Sequence, residues 1–297
     1  MSYNGETMNF KKIELSDMAL IKKYYTPEKC VGAHQSFTNM YIWQESYNIS
    51  FAEEDGFLFI KSRHSHDCSY YIFPCGEGDK KAAVEKIIAD SHIGGCKCVF
   101  AHLSPEASRF LKENFGDTFS FRNDRDNAEY VYETDSLVNL SGKKLHGKRN
   151  HLNTFLNSYK WEYKEIMPEN IDEARQFCIK SITERDQHDE ELSATQKLFD
   201  GFFALGLSGA MLYANGSLCA VTAGEMLSCH TAVIHLEKAD TEVKGSYAAI
   251  NNLFAKNRFG NTKFINREED MGIEGLRRAK ESYRPCHMVE KWVAVEK

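Results

Sequence analysis

At 297 residues the chain exceeds what one hydrophobic core usually serves, and a composition of 42% hydrophobic and 27% charged residues excludes global disorder. A net charge of −6 excludes a surface that coats nucleic acid indiscriminately, since that binding needs a broad basic face, although a local basic patch is still allowed. No run approaches the roughly 18–20 uncharged apolar residues of a spanning helix, and the start MSYNGETMNFKK lacks an apolar signal core, so a cytoplasmic location is expected.

In chain order, FKKIEL (10–15) reads as a short strand, and Ser16 or Asp17 caps a helix carrying Met18, Ile21 and Tyr25. FTNMYIWQESY (37–47) is a second helix. ISFAEEDGFLFIKS (49–62) gives two strands turned at Asp55-Gly56, and SYYIFPCG (69–76) another. Residues 79–95 form a helix stopped by Gly94, 96–103 a strand, 105–116 a helix between Pro105 and Gly116, and AEYVYET (128–134) a closing strand.

The second half repeats that order. WEYKEIM (161–167) is a strand; 170–186 and 195–206 are helices, the first capped by Asn170 or Asp172. Residues 209–227 form a strand pair turned at Asn215-Gly216, followed by a strand over 229–238. A helix over 244–260 ends at Gly260, KFIN (263–266) is a strand, 273–284 a helix stopped before Pro285, and HMVEKWVAV (287–295) one final strand. Two passes that agree in order and length predict two successive α/β units with a boundary near residue 140, 1–140 and 141–297. The join itself, 135–160, reads as a packed helix.

Four groups of residues can carry chemistry. Lys143, Lys144, His146, Lys148, Arg149 and His151 crowd cations at the start of a helix, where the helix already carries partial positive charge, so a bound phosphate would relieve them. The ordinary alternative is a solvated helix whose charges pair with acidic neighbours. The stretch 266–272 (NREEDMG) lies at the carboxyl end of a strand, where open α/β sheets place ligands, and Arg277, Lys280 and Arg284 follow at helical spacing as one basic stripe. Against that stands a set of local salt bridges, Glu274 to Arg277 or Arg278 and Arg277 to Glu281. Lys244-Gly245-Ser246-Tyr247 opens a helix whose backbone N–H groups can hold an anion, but a single glycine signals acyl-coenzyme A only weakly. Glu237 or Asp240 can serve as general base.

His64, His66, Cys68, Cys96 and Cys98 match no closed zinc pattern, and loop polarity beside a buried strand accounts for them. The nine cysteines show no regular framework and fit reduced thiols, with Cys30, Cys178 and Cys219 as core fillers.

Residues 147–155 (GKRNHLNTF), 244–250 (KGSYAAI), 266–272 (NREEDMG) and 276–285 (LRRAKESYRP) resemble the C-terminal catalytic domain of phosphatidylglycerol lysyltransferases and its stand-alone relatives. The resemblance covers most of the chain. It implies two tandem GNAT-like acyltransferase domains, each a mixed sheet flanked by helices, a fold also found in Fem-type peptidoglycan aminoacyltransferases. It implies transfer of an aminoacyl group from aminoacyl-tRNA to a hydroxyl or amine, without metal or covalent enzyme intermediate.

In that mechanism Arg277 and Lys280 stabilise the oxyanion and the leaving charge, Glu237 or Asp270 orients or deprotonates the acceptor, and Lys148 with Arg149 binds acceptor-stem or lipid phosphate. Asn150, Gly245, Tyr247, Asn266 and Arg284 complete the expected substrate-binding set. The lipid lysyltransferases carry a large N-terminal membrane region, and no such region stands in this sequence, so a soluble acceptor is as plausible as an anionic lipid. The alternatives are an acyl-coenzyme A dependent N-acyltransferase and a non-catalytic GNAT-like ligand-binding module.

Overall fold

Local chemistry sets most elements where capping and turn residues stand. The computed structural model describes residues 8–26, 32–63, 68–184 and 189–297, so Cys30 and His64–Asp67 lie outside the described residues, as do Arg185 and Asp186 at the expected end of one helix. The chain opens with β1 (Lys11–Lys12), α1 (Met18–Tyr24) and α2 (Phe37–Tyr47). Ser36 caps α2 by accepting the Asn39 N–H at 3.0 Å. The hairpin of β2 (Ser50–Glu54) and β3 (Phe57–Ser62) turns through Asp55 and Gly56 at φ 50° and 78°, the left-handed pair a type I′ turn requires.

The short strands β4 (Tyr70–Tyr71) and β5 (Cys75–Gly76) replace the single strand expected over 69–76. Next come α3 (Lys80–Ile93), capped by Asp79, β6 (Val99–Leu103), and α4 (Pro105–Phe115), capped by Ser104. The strand β7 (Phe119–Asn123) was not expected, because FSFRN is short and half polar.

The chain continues through β8 (Glu129–Glu133), α5 (Thr134–Asn139), α6 (His146–Ser158), β9 (Trp161–Glu165), α7 (Ile171–Thr183) and α8 (Asp189–Gly201). The hairpin of β10 (Ser208–Ala214) and β11 (Ser217–Met226) turns at Asn215-Gly216, φ 52° and 86°. It is followed by β12 (Thr231–Ala239), α9 (Ser246–Phe259), β13 (Phe264–Asn266), α10 (Glu274–Glu281), β14 (His287–Val289) and β15 (Trp292–Glu296).

Two mixed sheets result. The first runs β1-β2-β3-β4-β6-β15-β7, with β5 also on β3 and one parallel contact between β4 and β6. The second runs β14-β8-β13-β12-β11-β10-β9, parallel only between β12 and β13. Among the described residues the first unit comprises those before 27, His34–Ala128 and Glu290–Lys297, and the second comprises 32–33 and Glu129–Val289.

The division thus falls at Ala128/Glu129 rather than near 140, and the strands expected to close each half join the other sheet. β8 pairs with β13 and β14, while the expected strand 287–295 breaks at Glu290-Lys291, so that β14 stays in the second sheet and β15 inserts between β6 and β7. Alternating apolar residues announce a strand but not its partner, so this exchange has no local signal.

Each sheet has its own core. Phe57, Phe59, Tyr71, Val84, Ile87, Phe100 and Leu111 lie in the first; Tyr130, Tyr132, Phe155, Leu212, Ala249, Ile250 and Phe254 in the second. Cys178 and Cys219 are buried as expected. Cys68 and Cys96 are not free thiols: they form a disulfide with Cα atoms 5.8 Å apart. The parallel Tyr71–Phe100 contact of β4 with β6 brings the segments preceding both strands together, a long-range pairing that cysteine spacing does not reveal. Among the described residues no helix is long and apolar enough to cross a membrane.

Candidate active site

The second sheet has one place where parallel strands end side by side. The β12/β13 ladder holds only Thr231–Phe264, Ala232–Ile265 and Val233–Asn266; β12 then continues six residues beyond it to Ala239. Carboxyl ends of parallel strands are where α/β sheets expose ligand-binding side chains.

A β-bulge re-aims the side chains there. Opposite β11, Leu236 pairs with Ala223 but Ile234 pairs with Gly224, which leaves His235 as the extra residue. Ahead of the bulge Ala232 and Ile234 face the core under α9; behind it the phase shifts, so Ala239 faces that core and Glu237 meets α9. Gly224 makes the bulge sterically feasible, because a Cβ there would lie 2.2 Å from the Val233 carbonyl oxygen.

Glu237 is held from both sides. Arg267 Nη2 donates to Oε1 at 2.7 Å, and Asn251 Nδ2 on α9 donates to Oε2 at 3.1 Å. The Arg267 guanidinium lies 4.9 Å from the Tyr283 ring centroid and 5.8 Å from that of Tyr132. Two buried polar atoms beside this carboxylate, Nη1 of Arg267 and Oδ1 of Asn251, have no hydrogen-bond partner among the described residues. Lys148 places its ammonium 4.2 Å from the Tyr283 centroid; burial, then the Arg267 charge, lower its pKa, with Glu237 opposing.

The loop after β13 is pinned from beneath. Asn266, fully buried, donates to Glu129 at 2.5 Å and accepts the Glu268 N–H at 2.8 Å. Tyr130 accepts from Arg267 N and donates to Glu268 O through its backbone, and Lys280 donates to the carbonyls of Arg267 and Glu269. Burial pushes the Lys280 ammonium down to about 8, with Arg267 adding to that and Glu269, Glu268 and Glu237 opposing. Asp270 accepts from Arg277 through Nε and Nη2 at 2.9 and 2.7 Å, from Tyr130 Oη at 2.5 Å and from Gly272 N at 2.9 Å.

Of the residues singled out in the sequence, Glu237, Lys148 and Lys280 therefore gather around Arg267, while Asp270, Arg277 and Asn266 are spent on one another and on the loop. Arg284 leaves the expected stripe: α10 stops at Glu281 and Arg284 is exposed at φ 60°. Arg278, not Arg277, pairs with Glu274, at 3.6 Å. Arg149 donates to the carbonyls of Leu140 and Gly142. Asn150 is exposed beside His146, and Asp240 is exposed just past β12. Gly245, at φ 86°, lies against α6, and Tyr247 packs on the core. Asn251, His235 and the individual place of Arg267 escaped the sequence reading. The signal for Asn251 was present, since an Asn-Asn pair inside the apolar run AAINNLFA asks for buried partners.

Two mixed sheets with flanking helices and a short parallel pair at the heart of the second define a tandem GNAT-like acyltransferase fold. The same fold is seen in a tandem GNAT protein from the clavulanic acid biosynthesis pathway, 8% identical with a TM-score of 0.55 over 97% of this chain and 98% of that one. The chain belongs to the phosphatidylglycerol lysyltransferase C-terminal family, whose model matches residues 29–295.

A conserved protein of unknown function from Bacteroides thetaiotaomicron is 35% identical, with a TM-score of 0.91 over 98% of this chain and all of that one. L-PGS from Bacillus licheniformis is 17% identical, with a TM-score of 0.68 over 100% and 94%. An uncharacterized protein of Mycoplasmoides gallisepticum is 27% identical over 173 residues, 55% of this chain. The match spans 54%, about half, of that curated relative's length.

Proposed function

We propose that the second unit transfers an aminoacyl group from aminoacyl-tRNA to a hydroxyl or amine acceptor, lipid or soluble, at the Glu237–Arg267–Asn251 cluster. The observation that carries this reading is the pair of buried, unsatisfied atoms on either side of one carboxylate: a cationic donor, Arg267 Nη1, and an acceptor, Asn251 Oδ1. Each such atom costs about 1–3 kcal/mol unless something pairs with it. An acyl carbonyl supplies the acceptor that Nη1 lacks, and an amine or hydroxyl supplies the donor that Oδ1 lacks.

In the reaction the acceptor's O–H or N–H approaches Glu237, its heavy atom bonds to the acyl carbon, and the negative charge growing on the carbonyl oxygen meets Arg267 Nη1. The bond from acyl carbon to ribose oxygen then breaks. Lys148, whose lowered pKa favours giving up a proton, protonates the leaving oxygen; the proton taken by Glu237 then passes to solvent and Lys148 regains one from solvent, which restores both groups. Lys280 and the Asp270–Arg277 pair act earlier, by fixing the loop that bears Arg267.

Acyl-coenzyme A has less support, because the approach of Gly245 to the His151 carbonyl accounts for that glycine without a phosphate. To test the reading, labelled aminoacyl-tRNA and labelled acetyl-coenzyme A are each incubated with the protein and with phosphatidylglycerol vesicles or soluble extract. Label is expected to move from aminoacyl-tRNA, and Glu237→Gln is expected to slow it about 10²–10⁴-fold. Label that stays put with both donors sinks the proposal.

A further inference from the structure

The imidazole of His235 has no part in the chemistry above, yet it is the extra residue of the bulge that aims Glu237. Its side chain is wholly shielded from solvent. Nε2 lies 3.1 Å from Glu225 Oε1 on β11, and Nδ1 lies 2.8 Å from Glu268 Oε1 in the loop after β13. A neutral ring has a single N–H and would set a lone pair against the second carboxylate, whereas an imidazolium donates to both. Burial opposes that charge, but the two glutamates outweigh it and push the pKa up to about 10. Among the described residues those two carboxylates, one on β11 and one in the loop after β13, are the charged groups within hydrogen-bond distance of the ring.

Glu268 follows Arg267 directly and sits at φ 57°, a left-handed conformation that a non-glycine residue keeps only where its surroundings over-determine it. Its N–H is taken by Asn266, its carbonyl by Tyr130 and its carboxylate by His235, so three elements converge on one strained residue.

We propose that His235, held as an imidazolium between Glu225 and Glu268, is a positioning residue that fixes the loop so that Arg267 meets Glu237. This rests on the reading of the site given above. Loss of the bridge would let the Glu268 carboxylate turn toward water and relax the left-handed turn beside Arg267. Arg267 would then lose its fixed place against Glu237, and a misplacement of about 1 Å can cost ~10²-fold in rate.

The test uses the full chain with nitrogen-15 in its histidine and arginine side chains. Both ring nitrogens of His235 are expected to carry protons at pH 7.5, and the Arg267 guanidinium to give a slowly exchanging signal. In Glu225→Gln the pH at which the ring loses its second proton should fall by about one unit or more, and the Arg267 signal should vanish above that same pH. In His235→Gln the backbone spectrum should persist, the Arg267 signal should be lost, and turnover should drop about 10²-fold with KM unchanged.

A ring with one N–H at pH 7.5, or an Arg267 signal untouched in both variants, overturns the proposal. If the wild type moves no label, the functional reading fails while the nitrogen signals still decide the role of His235. If His235→Gln does not fold, the wild-type ring and Glu225→Gln decide it.

Discussion

Asp270→Asn is expected to lower the unfolding free energy by about 3 kcal/mol, measured as a lower urea midpoint at unchanged slope. The carboxylate has no solvent exposure and accepts hydrogen bonds from Arg277 Nε and Nη2, Tyr130 Oη and the Gly272 N–H. An asparagine keeps one acceptor oxygen and turns an NH2 toward donors that already point inward, so Arg277 or Tyr130 is left facing a like group. Breaking a buried pair from one side typically costs about 3–5 kcal/mol. The lower end applies because the Arg277 side chain is 30% exposed and can turn to water.

Acid separates this effect from simple loss of packing. Burial by itself would raise the Asp270 pKa, but Arg277, Tyr130 and the Gly272 N–H outweigh it and hold the carboxyl well below the usual range. A depressed folded-state pKa stabilises above the unfolded value, about 3.9, and that stabilisation fades as pH falls toward the folded value. The gap between wild type and Asp270→Asn should therefore narrow below about pH 4. A gap that stays constant down to pH 2 would show that the pair contributes nothing through its charge.

Gly245→Ala is expected to cost about 2–5 kcal/mol, from ~1–2 for a left-handed backbone and ~1–3 for overpacking. The residue sits at φ 86°, and a Cβ on it would stand 2.2 Å from the His151 carbonyl oxygen and 3.1 Å from Phe155 Cβ. Neither neighbour can yield cheaply, because one is helix backbone and the other a fully buried side chain. Helix α6 has to back away from α9. Since α9 carries Asn251, transfer should fall as well, and a variant of wild-type stability would show that the two helices are not in tight contact.

The sequence was most legible where one residue decides a local geometry. Asp55-Gly56 and Asn215-Gly216 place both hairpins, because each turn is decided by its own two residues, whereas Asp17 and Asn170 stand at the expected N-caps of α1 and α7 without a side-chain capping bond. Partners distant in the chain could not be read. Glu129 reads as one more strand residue, yet it is completely buried and binds Asn266.

The candidate site divides along the same line. The motifs around Lys148, Glu237 and Lys280 contain residues that do gather. The feature that turns Glu237 toward Arg267 is a bulge opposite Gly224, set by a register between two strands rather than by any short pattern. The expected basic stripe fails at Arg284 for a local reason, since a left-handed residue ends the run before Pro285.

The insertion of β15 between β6 and β7 bears on how the protein is made. Residues 292–296 leave the ribosome long after β6 and β7, and among the described residues no other strand joins those two. The first unit thus waits, with two unsatisfied strand edges, until the second has been translated, an interval in which exposed edges invite pairing with other chains. Division of the gene near codon 140 would deprive the first sheet of β15 and the second of β8.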